Sequence, residues 1–195
     1  MWAILVVNII VLGISIERGI WLYFQANLKR HALMADIGKF IQAGDYERAQ
    51  NLVAKQKAPI AKILAAGLHS KGRGQEAAVM LMNEAKLMEI PRIEARVGFL
   101  VMFSNISTLL GLLGTIVGLI KSFAAVAHAS ASEKATELAR GISEAMNCTA
   151  FGLSVAIYAL LVYAALQSKA HQLVEDIDQS SSALGNMLSE VPWAK

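Results

Sequence analysis

The sequence predicts an all-α membrane protein: three transmembrane helices, with a helical cytoplasmic domain between the first and the second. Three observations carry this. The 195 residues are 55% hydrophobic and 17% charged, with a mean hydropathy of +0.47. Soluble domains run near half apolar with about a quarter of residues charged. The apolar residues fall in three blocks rather than being spread as one core requires, and the periodic stretches repeat at helical spacing, with no strand alternation. A single cysteine, Cys148, excludes an internal disulfide framework and a Cys-rich zinc site. The expected division is 1–25, 26–96, 97–126, 127–136, 137–168 and 169–195: first span, cytoplasmic segment, second span, short periplasmic link, third span, cytoplasmic tail.

Block one covers residues 1–16, followed by Glu17, Arg18 and the apolar 19–24. Sixteen helical residues reach about 24 Å, short of a hydrocarbon core of roughly 30 Å. Continuing to Phe24 supplies the rest, with Arg18 able to snorkel and Trp21 and Tyr23 suited to the interface. The stretch lacks the basic start and Ala-x-Ala site of a cleaved signal peptide, so a membrane span is expected. Blocks two (97–120) and three (145–168) each hold 24 residues without a charge, enough to span a bilayer.

Twelve Lys and Arg lie in 26–98, one (Lys134) in 127–136 and none in the first 17 residues. Positive-inside logic puts 26–98 and the tail in the cytoplasm, and the N-terminus and the link outside. Seven acidic residues interleave with the twelve basic ones. A solvated helical surface near anionic lipid is expected there, and no nucleic-acid partner.

Within the cytoplasmic segment, 28–43 carries Leu33, Ile37, Phe40 and Ile41 at helical spacing. Gly44 is a natural stop and Asp45 a natural cap for a second helix over 46–56. Pro59 can open a third, 60–69, in its first turn. Residues 70–74 read as a flexible turn. From Gln75 a long helix is expected to run into block two, kinked at Pro91.

Polar residues inside the spans carry the functional information. In block two Ser104, Ser107, Thr108, Gly111, Thr115, Gly118 and Ser122 share one stripe; in block three Gly141, Ala145, Cys148, Thr149, Gly152 and Ala156 share another. Small residues allow close helix approach in lipid, where packing drives association. Helix packing is therefore assigned to Ser107, Thr108, Gly111, Gly114, Gly118 and Gly152. The block-two stripe is longer than one partner helix within the chain should use, so self-association is expected. Thr115 and Thr149 fall at matched depth on antiparallel spans, where hydroxyls fit either an interface or the polar wall of a water-accessible path. Glu144 is open to two readings: a functional intramembrane carboxylate, or a boundary residue that is solvated or paired with Arg140. The four histidines have no ligand-like spacing, so no metal is expected. No phosphate-binding loop, nucleophile elbow or paired-carboxylate site is present, and no enzyme is expected.

The run Leu110-Gly111-Leu112-Leu113-Gly114-Thr115-Ile116-Val117-Gly118, then Ser122-Phe123, resembles the GLLGTVxG…xF signature of the MotA/TolQ/ExbB proton-channel family. Gly141-Ile142-Ser143-Glu144-Ala145, then Thr149-Ala150-Phe151-Gly152-Leu153, resembles its GI(A/S)EALxxTAxGL signature. Ala58-Pro59-Ile60-Ala61 through Ala65-Ala66-Gly67-Leu68 is similar to its PLAxxLxAGL stretch. The three-span layout is similar to TolQ and ExbB rather than to four-span MotA. The resemblance implies a bacterial inner-membrane stator subunit that conducts protons, without other cofactors, and powers an envelope process. It implies a homo-pentamer around a dimer of single-span TolR/ExbD-like partners bearing a membrane Asp. It also implies pore-lining roles for Thr115, Thr149 and Glu144, the last of them in the third-span motif. Two family prolines are replaced, by Thr108 and Tyr158. Their loss implies straighter helices and leaves room for an alternative, a non-conducting scaffold of a related ring.

Overall fold

The structure, a computed structural model, describes residues 2–26, 30–70 and 74–189. Seven α-helices account for most of them: α1 (Trp2–Ile20), α2 (Arg30–Gln42), α3 (Tyr46–Ala54), α4 (Pro59–Leu68), α5 (Gln75–Glu94), α6 (Val97–His128) and α7 (Lys134–Ser189). A π-helical turn, Trp21–Gln25, extends α1, and no strand occurs among the described residues. The all-α expectation holds. Three helical stretches are long and apolar enough to cross a membrane, Trp2–Phe24, Gln75–His128 and Lys134–Ser189. The expected helix start at Leu28 and the centre of the 70–74 turn lie outside the described residues.

Contacts divide the chain into two compact units. One comprises 1–18 with 96–165, the other 19–95 with 166–195. In the first unit α1 buries Ile4, Val7, Val11, Ser15 and Arg18, one helical face. The Ser15 hydroxyl is satisfied inside its own helix, donating to Val11 O at 2.6 Å. On α6 the buried face is Leu100, Ser104, Ser107, Gly111 and Ser122, while Leu109, Leu112, Leu113, Ile116, Ile120 and Phe123 point outward. In water such a surface would be an aggregation hazard; in a bilayer it suits lipid or another membrane helix.

The second unit has an ordinary apolar core. Ile37, Val53, Ile63, Leu64, Met82, Ile93, Ile177 and Leu184 are among its fully buried side chains. The turn between α2 and α3 follows the sequence. Gly44 takes φ +75, and the Asp45 carboxylate accepts from Arg48 N at 3.2 Å. Pro59 stands at the first turn of α4. Gly67 lets α4 approach its neighbours: an added Cβ would lie 2.8 Å from the Met82 side chain and 3.2 Å from Leu184. Ion pairs frame this core, with Arg30–Asp176 and Lys86–Asp178 at 2.9 Å and Lys62–Glu89 at 3.1 Å.

One expectation is corrected. The helix from Gln75 does not run into block two with a kink at Pro91. Pro91 lies within α5, and the chain breaks later, where Ala95 is extended (ψ 141) and Arg96 is left-handed (φ 64). Arg96 Nη1 bonds Glu17 Oε1 at 2.6 Å, an ion pair within the first unit. That long-range partner accompanies a conformation that costs a non-glycine residue roughly 1–3 kcal/mol.

Candidate functional site

The paired faces of α6 and α7 form the candidate site. Their glycines set the distance between the helices. A Cβ on Gly152 would stand 2.7 Å from Ser107 O and 2.9 Å from Gly111 Cα, so backbone lies directly against backbone there. A Cβ on Gly114 would meet Cys148 Cβ at 2.8 Å, and one on Gly118 would meet Ala145 Cβ at 2.9 Å. Gly141 lies equally close to Ser122. The two stripes therefore meet at 107, 111, 114, 118 and 122 of α6. The reason is that α7 repeats small residues at 141, 145, 148, 152 and 156, in register with those of α6.

At this spacing hydroxyls reach across to the opposite backbone. Ser104 Oγ donates to Ala156 O at 3.0 Å and Ser122 Oγ to Leu138 O at 3.3 Å. Ser107 Oγ is buried without a hydrogen-bond partner among the described residues. Thr108 is exposed and donates back to Ser104 O at 3.1 Å, so it is not brought against α7 within the chain.

Thr115 and Thr149 do meet. Their hydroxyls are in direct contact, and each lies 3.1 Å from the same acceptor, Gly111 O. The matched depth anticipated their facing; it did not anticipate the shared carbonyl. That carbonyl is accessible because Gly111 and Gly152 bear no side chains to hold the helices apart.

Glu144 is not brought to the threonine pair. It is exposed and lines a separate cleft of about 520 Å³ beside the α6–α7 contact, together with Lys121, Glu137 and Arg140. Trp2, Gly114, Val117 and Gly118 also line it. Of the two boundary alternatives, solvation and a pair with Arg140, the pair is not formed among the described residues. Sequence reasoning missed Lys121 and Glu137 as members of this cluster. Their signal was the spacing 137, 140, 144 on one helix face, opposite Lys121 at the end of the uncharged run. Among the described residues no group of three His, Cys, Asp or Glu side chains could hold a metal ion. Both α6 and α7 continue unbroken through Thr108 and Tyr158, where the family prolines are replaced.

Comparison with known proteins follows the same residues. The MotA/TolQ/ExbB proton channel family matches over residues 55–179. The ExbB-like 1 biopolymer transport protein of Synechocystis sp. is 31% identical over 199 residues, covering 98% of this chain and 76% of that protein. The Tol-Pal system protein TolQ of Haemophilus influenzae is 37% identical over 97 residues, 49% of this chain and 41% of that one. The biopolymer transport protein exbB1 of Vibrio cholerae is 35% identical over 101 residues, 52% of this chain and 42% of that protein. With a family match over more than half its length and a relative aligned along almost all of it, this chain belongs to the MotA/TolQ/ExbB proton channel family.

Proposed function

We propose that this chain is the proton-conducting stator subunit of a motor in the bacterial inner membrane, driven by the proton-motive force and powering an envelope process of the TolQ/ExbB kind. In this reading five copies surround a dimer of single-span partners of the TolR/ExbD kind, and Thr115 and Thr149 face a membrane Asp of the partner. The N-terminus is periplasmic and the 26–96 segment cytoplasmic, as the twelve-to-one Lys/Arg contrast favours. Protons are the driving ion and no other cofactor takes part.

The observation that carries the reading is the Thr115–Thr149 contact, two hydroxyls meeting side chain to side chain between two spans. A hydroxyl both donates and accepts, so it can serve a carboxylic acid in either protonation state or hold water. Valine keeps the shape and removes the bond, leaving a facing polar group unsatisfied at a cost of about 1–3 kcal/mol. The expected result for Thr115→Val/Thr149→Val is loss of proton flux and of the driven process, while the single-span partner still co-purifies. Full flux in the double variant would remove the threonines from the pathway.

A second reading has its own support. Both hydroxyls have an acceptor inside the chain, Gly111 O, which is the behaviour of hydroxyls that fasten one membrane helix to another. A non-conducting scaffold of a related ring needs no more. In that case the double valine variant keeps the driven process and loses only some stability.

A further inference from the structure

The joint between α5 and α6 is broken where its own sequence favours a helix. Residues 94–97 are Glu-Ala-Arg-Val, and alanine, arginine and glutamate are among the strongest helix formers. Neither glycine nor proline stands at 95 or 96. The buried positions also run straight through the gap. Glu89, Ile93, Val97, Leu100 and Ser104 are all buried, and their spacings of 4, 4, 3 and 4 describe one face of a single continuous helix. Yet Ala95 is extended and Arg96 is left-handed, with φ 64. Among the described residues Arg96 is the one non-glycine residue with positive φ. Local sequence therefore opposes the break, and a contact from elsewhere must hold it. Glu17 on α1 supplies that contact: its Oε1 accepts from Arg96 Nη1 at 2.6 Å. The chain passes from one unit to the other at 18–19, at 95–96 and at 165–166. The third passage lies inside the unbroken α7, and the Glu17–Arg96 pair stands beside the other two.

We propose that the Glu17–Arg96 pair is a latch on a two-state joint. With the latch closed, Arg96 is held left-handed and α5 and α6 are separate helices. With it open, residues 95 and 96 turn helical and 75–128 becomes one rod. A left-handed residue and a charge-assisted hydrogen bond are of the same order in energy, so losing the bond is enough to tip the joint. A displacement of α1 that carries Glu17 out of reach of Arg96 opens the latch. The device thus converts movement of the first span into stiffness of the second. The two states differ in their backbone bonds. In the closed state the amides of Val97 and Gly98 begin α6 and have no intrahelical acceptor, and Phe99 N donates to Arg96 O at 3.2 Å. In the rod Val97 and Gly98 donate to the carbonyls of Ile93 and Glu94. No proton path is required, so the test of the latch and the flux test of the valine variants succeed or fail separately.

The experiment is hydrogen exchange of the full-length protein in lipid nanodiscs, read at the amides of Val97 and Gly98 by mass spectrometry with electron-transfer fragmentation. Glu17→Gln opens the latch and is expected to slow exchange at both amides about tenfold, the bias toward the rod that relief of one left-handed residue supplies. Misfolding would quicken exchange, so slowing is particular to the rod. Arg96→Gly is expected to keep the joint broken without the latch, because glycine takes positive φ freely and is a poor helix former. Adding Glu17→Gln to Arg96→Gly is then expected to change nothing at these amides. Exchange in Glu17→Gln that is no slower than in the wild type overturns the proposal. So does an equal slowing by Glu17→Gln in the Arg96→Gly background, because Glu17 would then act on the joint by a route other than Arg96.

Discussion

Helix α7 runs for 56 residues and belongs to both units, so it shows one helix packing under two sets of rules. Between Gly141 and Ala159 it buries mostly Gly, Ala and Cys, with Val155 the one larger apolar side chain, and the Cβ positions of Gly141 and Gly152 lie under 3 Å from α6. Between Leu166 and Leu188 it buries Leu166, Leu173, Ile177, Leu184 and Leu188, and anchors Arg30 and Lys86 through Asp176 and Asp178. In water, burying large apolar side chains is itself the driving force. In lipid there is no such gain, because tails are as apolar as leucine, and association comes from close packing and hydrogen bonds. The change in composition along α7 is the one that a passage from lipid to water would require.

Substitutions at three positions test that contrast. The largest effect is expected at Gly152. Leucine there collides with Ser107 O and with the Gly111 backbone, neither of which is a flexible chain end. Overpacking ordinarily costs about 1–3 kcal/mol, and a clash with backbone belongs at or beyond the top of that range. Gly152→Leu should give little folded protein, and Gly152→Ala an intermediate loss, read by resistance to SDS unfolding. Tolerance of leucine would mean that the α6–α7 approach is looser than described. Next is Leu184→Ala in the second unit. Leu184 is fully buried, so the cavity should cost about 2–5 kcal/mol, measured by denaturant unfolding. A cost near zero would show that this unit is not held by its apolar core. The smallest is Asp176→Asn. The Arg30–Asp176 pair is partly solvated, 24% and 40% exposed, so the loss should be about 0.2–1 kcal/mol and shrink in salt. A larger, salt-insensitive loss would make ion pairs a principal support of the second unit.

Much of this was legible in the sequence for definite reasons. Uncharged runs of 24 residues announce spans because charge is expensive in hydrocarbon. Gly44 and Asp45 announce a turn because one tolerates positive φ and the other caps a helix. The small residues at 107, 111, 114, 118 and 152 announce a close contact, and the structure places each of them in it. The rest was hidden for reasons equally physical. The break at Ala95–Arg96 has no glycine or proline to mark it, and Arg96 finds its ion-pair partner in Glu17, 79 residues away. Which carbonyl Thr115 and Thr149 share depends on the register of one helix against another, which no single-helix pattern contains. Glu144 shares a sequence motif with Thr149 but lies about 140° around the helix from it at 100° per residue, and so it lines the cleft instead.

The triangle formed by Thr115 Oγ1, Thr149 Oγ1 and Gly111 O has three edges and only two hydroxyl protons. Two good arrangements exist. Thr115 donates to the carbonyl and receives from Thr149, or the reverse. They are mirror images in bonding and interconvert by turning two O–H bonds, with no heavy atom displaced. Such rotations take on the order of picoseconds to nanoseconds. The pair is therefore a reversible dipole set between two helices that glycine contacts hold rigid, and its direction is decided by whichever charge comes nearest.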